Sequence, residues 1–402
     1  MKVLIINTMW TGSSTGKIAY GFYKELSKRG HQCKMVYGNS FKECNDENVI
    51  KIAPRLERSL HYRVNMLTGY HGRFAPIAFK RLKRVIKQFR PDIVQLYNLH
   101  GYYMDIYKLF YYLKTNCIPT VYSMLDEYPY MGYCCYPYDC EQFKTGCNNC
   151  QMDMSGAYLK SLFFNRAQKT LHLKECAYNE FEKLVFVGPQ WVVERAKESY
   201  LLKDKKLYVV DEFVDTKDTF LIMDSADLRQ KIGISDDKII VLNVAPLSDS
   251  RKGVKYFIEL AKSFRDMRYM FINIGYDGDR NDLPSNFIAV PYISDQKLLA
   301  KYYSMADLFV CTSMADTMPN VCLDSLACGT PICGFDITGI PYVAEEPLGR
   351  FVTPGSLVEL SNILLNTNKK NSKIEQECRK YAVNRYSVET YTDKMLDIYQ
   401  RL

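Results

Sequence analysis

Ten short apolar runs recur along the chain in two sets of five, and this repetition constrains the fold more than any other feature. Residues 2–6, 33–37, 92–97, 118–123 and 183–187 form the first set; residues 239–244, 269–274, 286–290, 307–312 and 331–335 form the second. The runs are continuously apolar, and amphipathic helical stretches separate them. That pattern predicts strands covered on both faces, hence parallel sheets with helical crossovers. A chain of 402 residues also exceeds one ordinary hydrophobic core. The fold class expected is α/β, with two Rossmann-like, doubly wound parallel-sheet domains facing a cleft. The boundary falls in 212–236, giving a first domain of 1–212 and a second of 213–386. A last helix over 387–402 is capped by Ser387.

Composition excludes several classes. Hydrophobic residues make up 47% and charged residues 24%, which leaves no case for disorder or low complexity. No window reaches the roughly 18 apolar residues of a membrane span. The opening Met1-Lys2-Val3-Leu4-Ile5-Ile6-Asn7 reads as a buried strand rather than a signal peptide. A cytoplasmic location is therefore expected. In that compartment the fourteen cysteines stay reduced, and clustered ones become candidate metal ligands. The net charge of +8 favours anionic partners. Residues 80–90 carry much of it on a helical stretch, with Leu82, Val85, Ile86 and Phe89 at helical spacing. This pattern suits peripheral contact with an anionic membrane or, equally, a solvated helix packed on a sheet. Nucleic acid is not an expected partner, because no recognised module is present.

In doubly wound folds ligands meet the loops after the strands. After the run 307–312 comes Ala315-Asp316-Thr317-Met318-Pro319-Asn320-Val321-Cys322-Leu323-Asp324-Ser325-Leu326-Ala327-Cys328-Gly329-Thr330-Pro331, where two carboxylates flank a loop entering a helix. A helix start offers free N–H groups to an anion, and a carboxylate accepts two hydrogen bonds from a vicinal diol. Together they suit a sugar nucleotide. After 239–244 comes Ala245-Pro246-Leu247-Ser248-Asp249-Ser250-Arg251-Lys252-Gly253, whose Arg251 and Lys252 are cations suited to stabilising a departing diphosphate. The first loop, Thr8 to Ala19, holds Gly16, where a ligand can approach the backbone. His100 and Asp126 follow two further strands. Cys134, Cys140, Cys147 and Cys150 include the two-residue gap of a zinc-binding turn, and Cys135 is an alternative to Cys134 as the first ligand.

These residues resemble the retaining GT-B glycosyltransferases of family 4, of the polysaccharide-synthesis (capsule, exopolysaccharide, O-antigen) type with a cysteine-rich insert, here 131–152. In the family the acidic pair is separated by seven residues, as Asp316 and Asp324 are here, and precedes an Ala-Cys-Gly-Thr-Pro-like segment. Both acids are aspartates where the family usually has glutamate. The family's Gly-Arg-Leu-like segment is Ala245-Pro246-Leu247 here, and its Thr-Leu-His-Asp histidine is Leu125. The resemblance implies that Asp324 binds ribose, that Asp316 faces the transferred sugar, and that the backbone near Pro319, Asn320, Val321 and Cys322 approaches the donor. It implies a substrate contact at Gly16 and a catalytic set of Asp316, Arg251, Lys252, Asp126 and His100. The last helix is expected to pack back on the first, acceptor-side domain. The reaction implied is transfer, with retention, from a UDP- or GDP-sugar to a glycan or undecaprenyl-type lipid-linked acceptor. No Asp-x-Asp motif follows a strand, so catalysis is expected to need no metal, and zinc would be structural. Peripheral attachment to the inner face of the cell membrane follows from such an acceptor. Two alternatives are a nucleotide-sugar epimerase of the same fold and a non-catalytic sugar-nucleotide-binding partner in a polysaccharide assembly complex.

Overall fold

The computed structural model describes residues 1–402 apart from 41–43, 152–158, 160 and 265; residue 152 of the cysteine-rich insert thus lies outside the described residues. The chain divides into two compact units, Met1–Val210 with Tyr391–Leu402, and Asp211–Thr390.

The first unit is built on seven strands: β1 (Lys2–Met9), β2 (Gln32–Asn39), β3 (Val49–Lys51), β4 (Ile93–Leu96), β5 (Thr120–Ser123), β6 (Leu184–Gly188) and β7 (Leu207–Val209). They lie in the order β3-β2-β1-β4-β5-β6-β7, all parallel. The second unit has six: β8 (Ile239–Val244), β9 (Tyr269–Ile274), β10 (Phe287–Val290), β11 (Leu308–Cys311), β12 (Ile332–Phe335) and β13 (Gly349–Val352). Their order, β10-β9-β8-β11-β12-β13, repeats the same winding, again in parallel. In each sheet the chain winds outward from β1 or β8 to one edge and then returns to wind the other way. The crevice at that switch point opens beside the carboxyl ends of β1 and β4, or of β8 and β11.

Continuous apolar strands give each sheet two buried faces. In the second unit Ile240, Leu242, Ile272 and Phe309 join one core, whereas Ile239, Val241, Phe271 and Val310 join another. The odd–even split is the two-residue period of a strand.

The final helix, Val388–Gln400, is capped by Ser387, whose Oγ accepts the Thr390 N–H at 3.2 Å. From Tyr391 onward it belongs to the first unit. Tyr391 and Tyr97 share a hydroxyl hydrogen bond of 2.9 Å, and the Tyr399 hydroxyl donates to Gln95 Oε1 at 2.8 Å.

The basic stretch 80–90 lies mostly in the helix Pro76–Phe89, which buries Ala78, Leu82 and Ile86 in the first unit's core. Its apolar stripe is therefore occupied by packing, while Lys80, Arg81, Arg84 and Lys87 face outward.

Candidate functional site

In the second unit three loops converge at the switch point. The loop after β8 ends in a short turn, Ser250–Lys252, begun by Asp249, whose carboxylate accepts the Arg251 N–H at 3.1 Å. Gly253 follows with φ +63°, and a Cβ there would sit 2.0 Å from the Thr312 carbonyl oxygen. Only glycine lets this loop press against the end of β11. Thr312 Oγ1 donates to the Lys252 carbonyl at 3.2 Å, and the Met314 N–H to the Arg251 carbonyl at 2.8 Å. These two bonds tie the loop after β11 directly to the turn that carries the two cations.

The loop after β11 brings in Asp316. Its Oδ2 lies 2.6 Å from Lys252 Nζ and 3.4 Å from Arg251 Nη1. Arg251 also donates to the Ala315 carbonyl at 2.8 Å and pairs with Asp249 at 3.1 Å, so its guanidinium is held on three sides. The third loop, after β12, contributes Thr338, whose Oγ1 accepts the Asp316 N–H at 3.0 Å. Beside it the Gly339 N–H donates to the Asp316 carbonyl at 2.9 Å. A Cβ on Gly339 would stand 1.7 Å from the Thr317 carbonyl oxygen, so this approach also requires glycine. Asp316 is buried, with two cations against one carboxylate oxygen.

The helix Asn320–Ala327 begins at the end of the same loop, after Pro319, and no side chain caps its start. Its first N–H groups are thereby left for other acceptors. Asn320 and Val321 are half-buried and Cys322 is buried, its N–H donating to the Pro319 carbonyl at 2.9 Å. Asn320 Nδ2 donates to Glu212 at 3.0 Å. Asp324, half-buried, sits one turn along this helix. The structure thus gathers Arg251, Lys252 and Asp316 into one cluster and places Pro319 to Asp324 on the adjoining helix start. Residue patterns alone missed Asp249, Thr338 and Glu212.

In the first unit Gly16 lies in the helix Ser14–Lys28, its N–H capped by Ser13 Oγ at 3.0 Å. A Cβ on Gly16 would come 3.0 Å from the Thr11 nitrogen, so the loop after β1 packs tightly on this helix start. After β4 and β5, His100 and Asp126 meet, Nε2 to Oδ2 at 3.3 Å. Burial pushes the His100 pKa down, with Asp126 partly offsetting it, and burial pushes the Asp126 pKa up. Both shifts disfavour charge. Lys174, also buried, donates to the carbonyls of Tyr128 and Met131 at 2.5 and 2.7 Å. Burial lowers its pKa to about 7. Leu125, in the place of the family histidine, is buried.

All fourteen cysteines are free thiols. Burial first, and then the neighbouring Cys150, Cys147 and Cys140, raise the Cys134 pKa to about 12, so the four thiols of the insert lie near one another. Among the described residues, however, the one set of three or more ligand atoms within 4.8 Å of each other is His100, Asp126 and Cys135. No three of Cys134, Cys140, Cys147 and Cys150 form such a set. Cys135 turns inward instead, its Sγ 3.8 Å from His100 Nε2. A cavity of about 530 Å³ in the first unit is lined by Tyr70, Arg73, Asn148, His172 and Tyr200 among others; it contains none of the residues expected at a site.

Residues 224–384 match the family described as Glycosyl transferases group 1. The alpha-galactosylglucosyldiacylglycerol synthase of Streptococcus pneumoniae is 23% identical over 240 residues, 56% of this chain. That match spans 62% of the synthase's length. A chain of Escherichia coli K12, WcaC, whose colanic acid glycosyl transferase role is itself provisional, is 20% identical over 90% of this chain and 89% of its own. Among solved structures, sucrose-phosphate synthase from Thermosynechococcus elongatus superposes with a TM-score of 0.71 at 13% identity, covering 100% of this chain and 98% of the synthase. Anabaena HepE in complex with UDP gives 0.69 at 15% identity, covering 100% of both chains. The chain therefore has the two-sheet GT-B fold, and within its second unit residues 224–384 are similar to the Glycosyl transferases group 1 family.

Proposed function

We propose that the chain is a glycosyltransferase that moves a sugar, with retention and without a catalytic metal, from a UDP- or GDP-sugar to a glycan or undecaprenyl-type lipid-linked acceptor in bacterial surface polysaccharide synthesis. The observation that carries this reading is the convergence of Lys252, Arg251 and Asp316 at the second sheet's switch point, beside an uncapped helix start. Negative charge builds on the diphosphate as the sugar–phosphate bond breaks. Cations already fixed by Asp316, Asp249 and the Ala315 carbonyl stabilise that charge without reorganising. In this reading Asp316 also receives hydroxyls of the transferred sugar and Asp324 those of the ribose. The backbone from Asn320 to Cys322 approaches the donor, with the N–H groups of Asn320 and Val321 at the helix start toward it. Gly16, His100 and Asp126 belong to the acceptor side, where a paired, uncharged His100 can accept or donate a proton as a neutral imidazole. The fold shared with UDP-bound HepE and the likeness to WcaC support the donor class and the pathway class. Such an acceptor places the protein in the cytoplasm at the inner face of the cell membrane.

A panel of UDP- and GDP-sugars tested by thermal shift checks the donor. A ligand that binds only the folded state raises Tm, by about 2.7 kcal/mol of stabilisation at a hundredfold excess over Kd. One stabilising donor is expected, and its effect should fall by at least about 1.4 kcal/mol in Asp324→Ala, the equivalent of tenfold weaker binding. No stabilisation by any donor would reject the reading. Conversion of the donor sugar without any acceptor would identify an epimerase instead, and binding with no turnover under any acceptor the non-catalytic partner.

A further inference from the structure

The helix Arg55–Thr68 is built inside out. Its buried positions are polar, Glu57, His61 and Asn65. Its outward stripe is Leu56, Leu60, Arg63 and Leu67, residues that fall within about 60° of arc on a helix of 3.6 residues per turn. The fold accounts for the polar interior. The Glu57 carboxylate accepts the N–H groups of Ile77 and Ala78 at 2.6 and 2.9 Å, at the start of the helix Pro76–Phe89, and the His61 ring packs against His71, Phe74 and Tyr102. Among the described residues nothing in the unit covers the leucines, which are 85%, 61% and 54% exposed at positions 56, 60 and 67.

Other exposed apolar side chains lie near both ends of this helix. Ile77 is exposed beside Glu57. At the other end the Leu162 N–H donates to the Met66 carbonyl at 2.8 Å, and Leu162 and Phe163 both stand exposed. A stripe of exposed leucines of this kind marks an interaction face.

Charge falls in the same place. Residues 54–90 contain ten arginines and lysines against one acid, Glu57, a net charge of +9 in a chain whose total is +8. The rest of the chain therefore carries −1. Arg55 and Arg63 on the leucine helix, and Lys80, Arg81, Arg84 and Lys87 on its neighbour, are exposed.

We propose that this face of the first unit docks on an anionic lipid surface, with Leu56, Leu60 and Leu67 among the acyl chains and the surrounding cations at the headgroup phosphates. A soluble polyanion would satisfy the cations and leave the leucines in water, whereas an uncharged protein groove would cover the leucines and strand the cations. A membrane interface satisfies both. Docking does not depend on which donor the second unit takes.

The test is cosedimentation of the full chain with phosphatidylcholine vesicles, with and without phosphatidylglycerol as a minority lipid. Binding is expected to the anionic vesicles and to weaken as salt rises from about 0.1 M to about 1 M, where screening shortens to about 3 Å. The variant Leu56→Glu/Leu60→Glu/Leu67→Glu should lose at least about tenfold in partitioning with an unchanged Tm, since all three side chains are exposed. A second variant, Arg63→Gln/Lys80→Gln/Arg84→Gln, should lose the preference for anionic vesicles. Failure of the wild type to sediment with anionic vesicles would overturn the proposal. So would wild-type binding by the leucine variant, or displacement of both proteins by soluble polyphosphate, which would mark a polyanion site.

Discussion

At the scale of single residues, the second unit's site rests on contacts that tolerate little change. Gly339 lies where a Cβ would meet the Thr317 carbonyl oxygen at 1.7 Å, so Gly339→Ala should destabilise the protein by about 2 kcal/mol or more. Urea unfolding measures this. Lys174 carries a different prediction. Its amine loses its proton near pH 7 when folded but holds it to about 10.4 when unfolded. Above about pH 7 the unfolded state thus binds more protons, and this group makes stability rise with pH by up to about 1.4 kcal/mol per unit. Below that both states are protonated and the contribution is flat. Buried thiols such as Cys134, whose pKa is raised, pull the other way once unfolded cysteine ionises near about 8.5. The clean window is therefore about pH 7 to about pH 8, where Lys174→Met should flatten the slope of unfolding free energy against pH. Arg251, Lys252 and Asp316 were readable in the sequence because each follows a recognisable strand in a loop of unusual composition. Thr338 and Asp249 were not, because their value lies in which backbone N–H or guanidinium they reach, and folding alone decides that.

At the scale of elements, every long apolar run became a strand. The strands with no sequence signal were β3, β7 and β13, each at the edge of its sheet. Edge strands pair on one side and face solvent in part, so three or four residues suffice and continuous apolarity is not required. The inside-out helix Arg55–Thr68 was also unreadable, since its leucines match the spacing of an ordinary core-facing stripe while the buried stripe is polar. The last helix shows the opposite case, with its Ser387 cap legible in the sequence. Its attachment to the first unit includes the hydroxyl of Tyr399 on Gln95. Tyr399→Phe should cost about 1–2 kcal/mol by leaving the buried amide oxygen unpaired, seen as a lower urea midpoint with an unchanged slope.

At the scale of the whole molecule, the two sheets repeat one winding order, yet among the described residues only the second switch point gathers two cations around a buried carboxylate. The first pairs a buried His100 with Asp126 and packs Gly16 tightly against Thr11. The central claim is that Asp324 and Asp316 serve different parts of one donor. Its most direct test measures donor Kd by calorimetry and kcat with acceptor for Asp324→Ala and Asp316→Ala side by side. The prediction is a Kd raised about tenfold or more in Asp324→Ala, as expected for a lost charged hydrogen bond, against a Kd within about threefold of wild type and a kcat lowered about a hundredfold in Asp316→Ala. Equal Kd and kcat in the two variants, or a loss of binding confined to Asp316→Ala, would contradict the account.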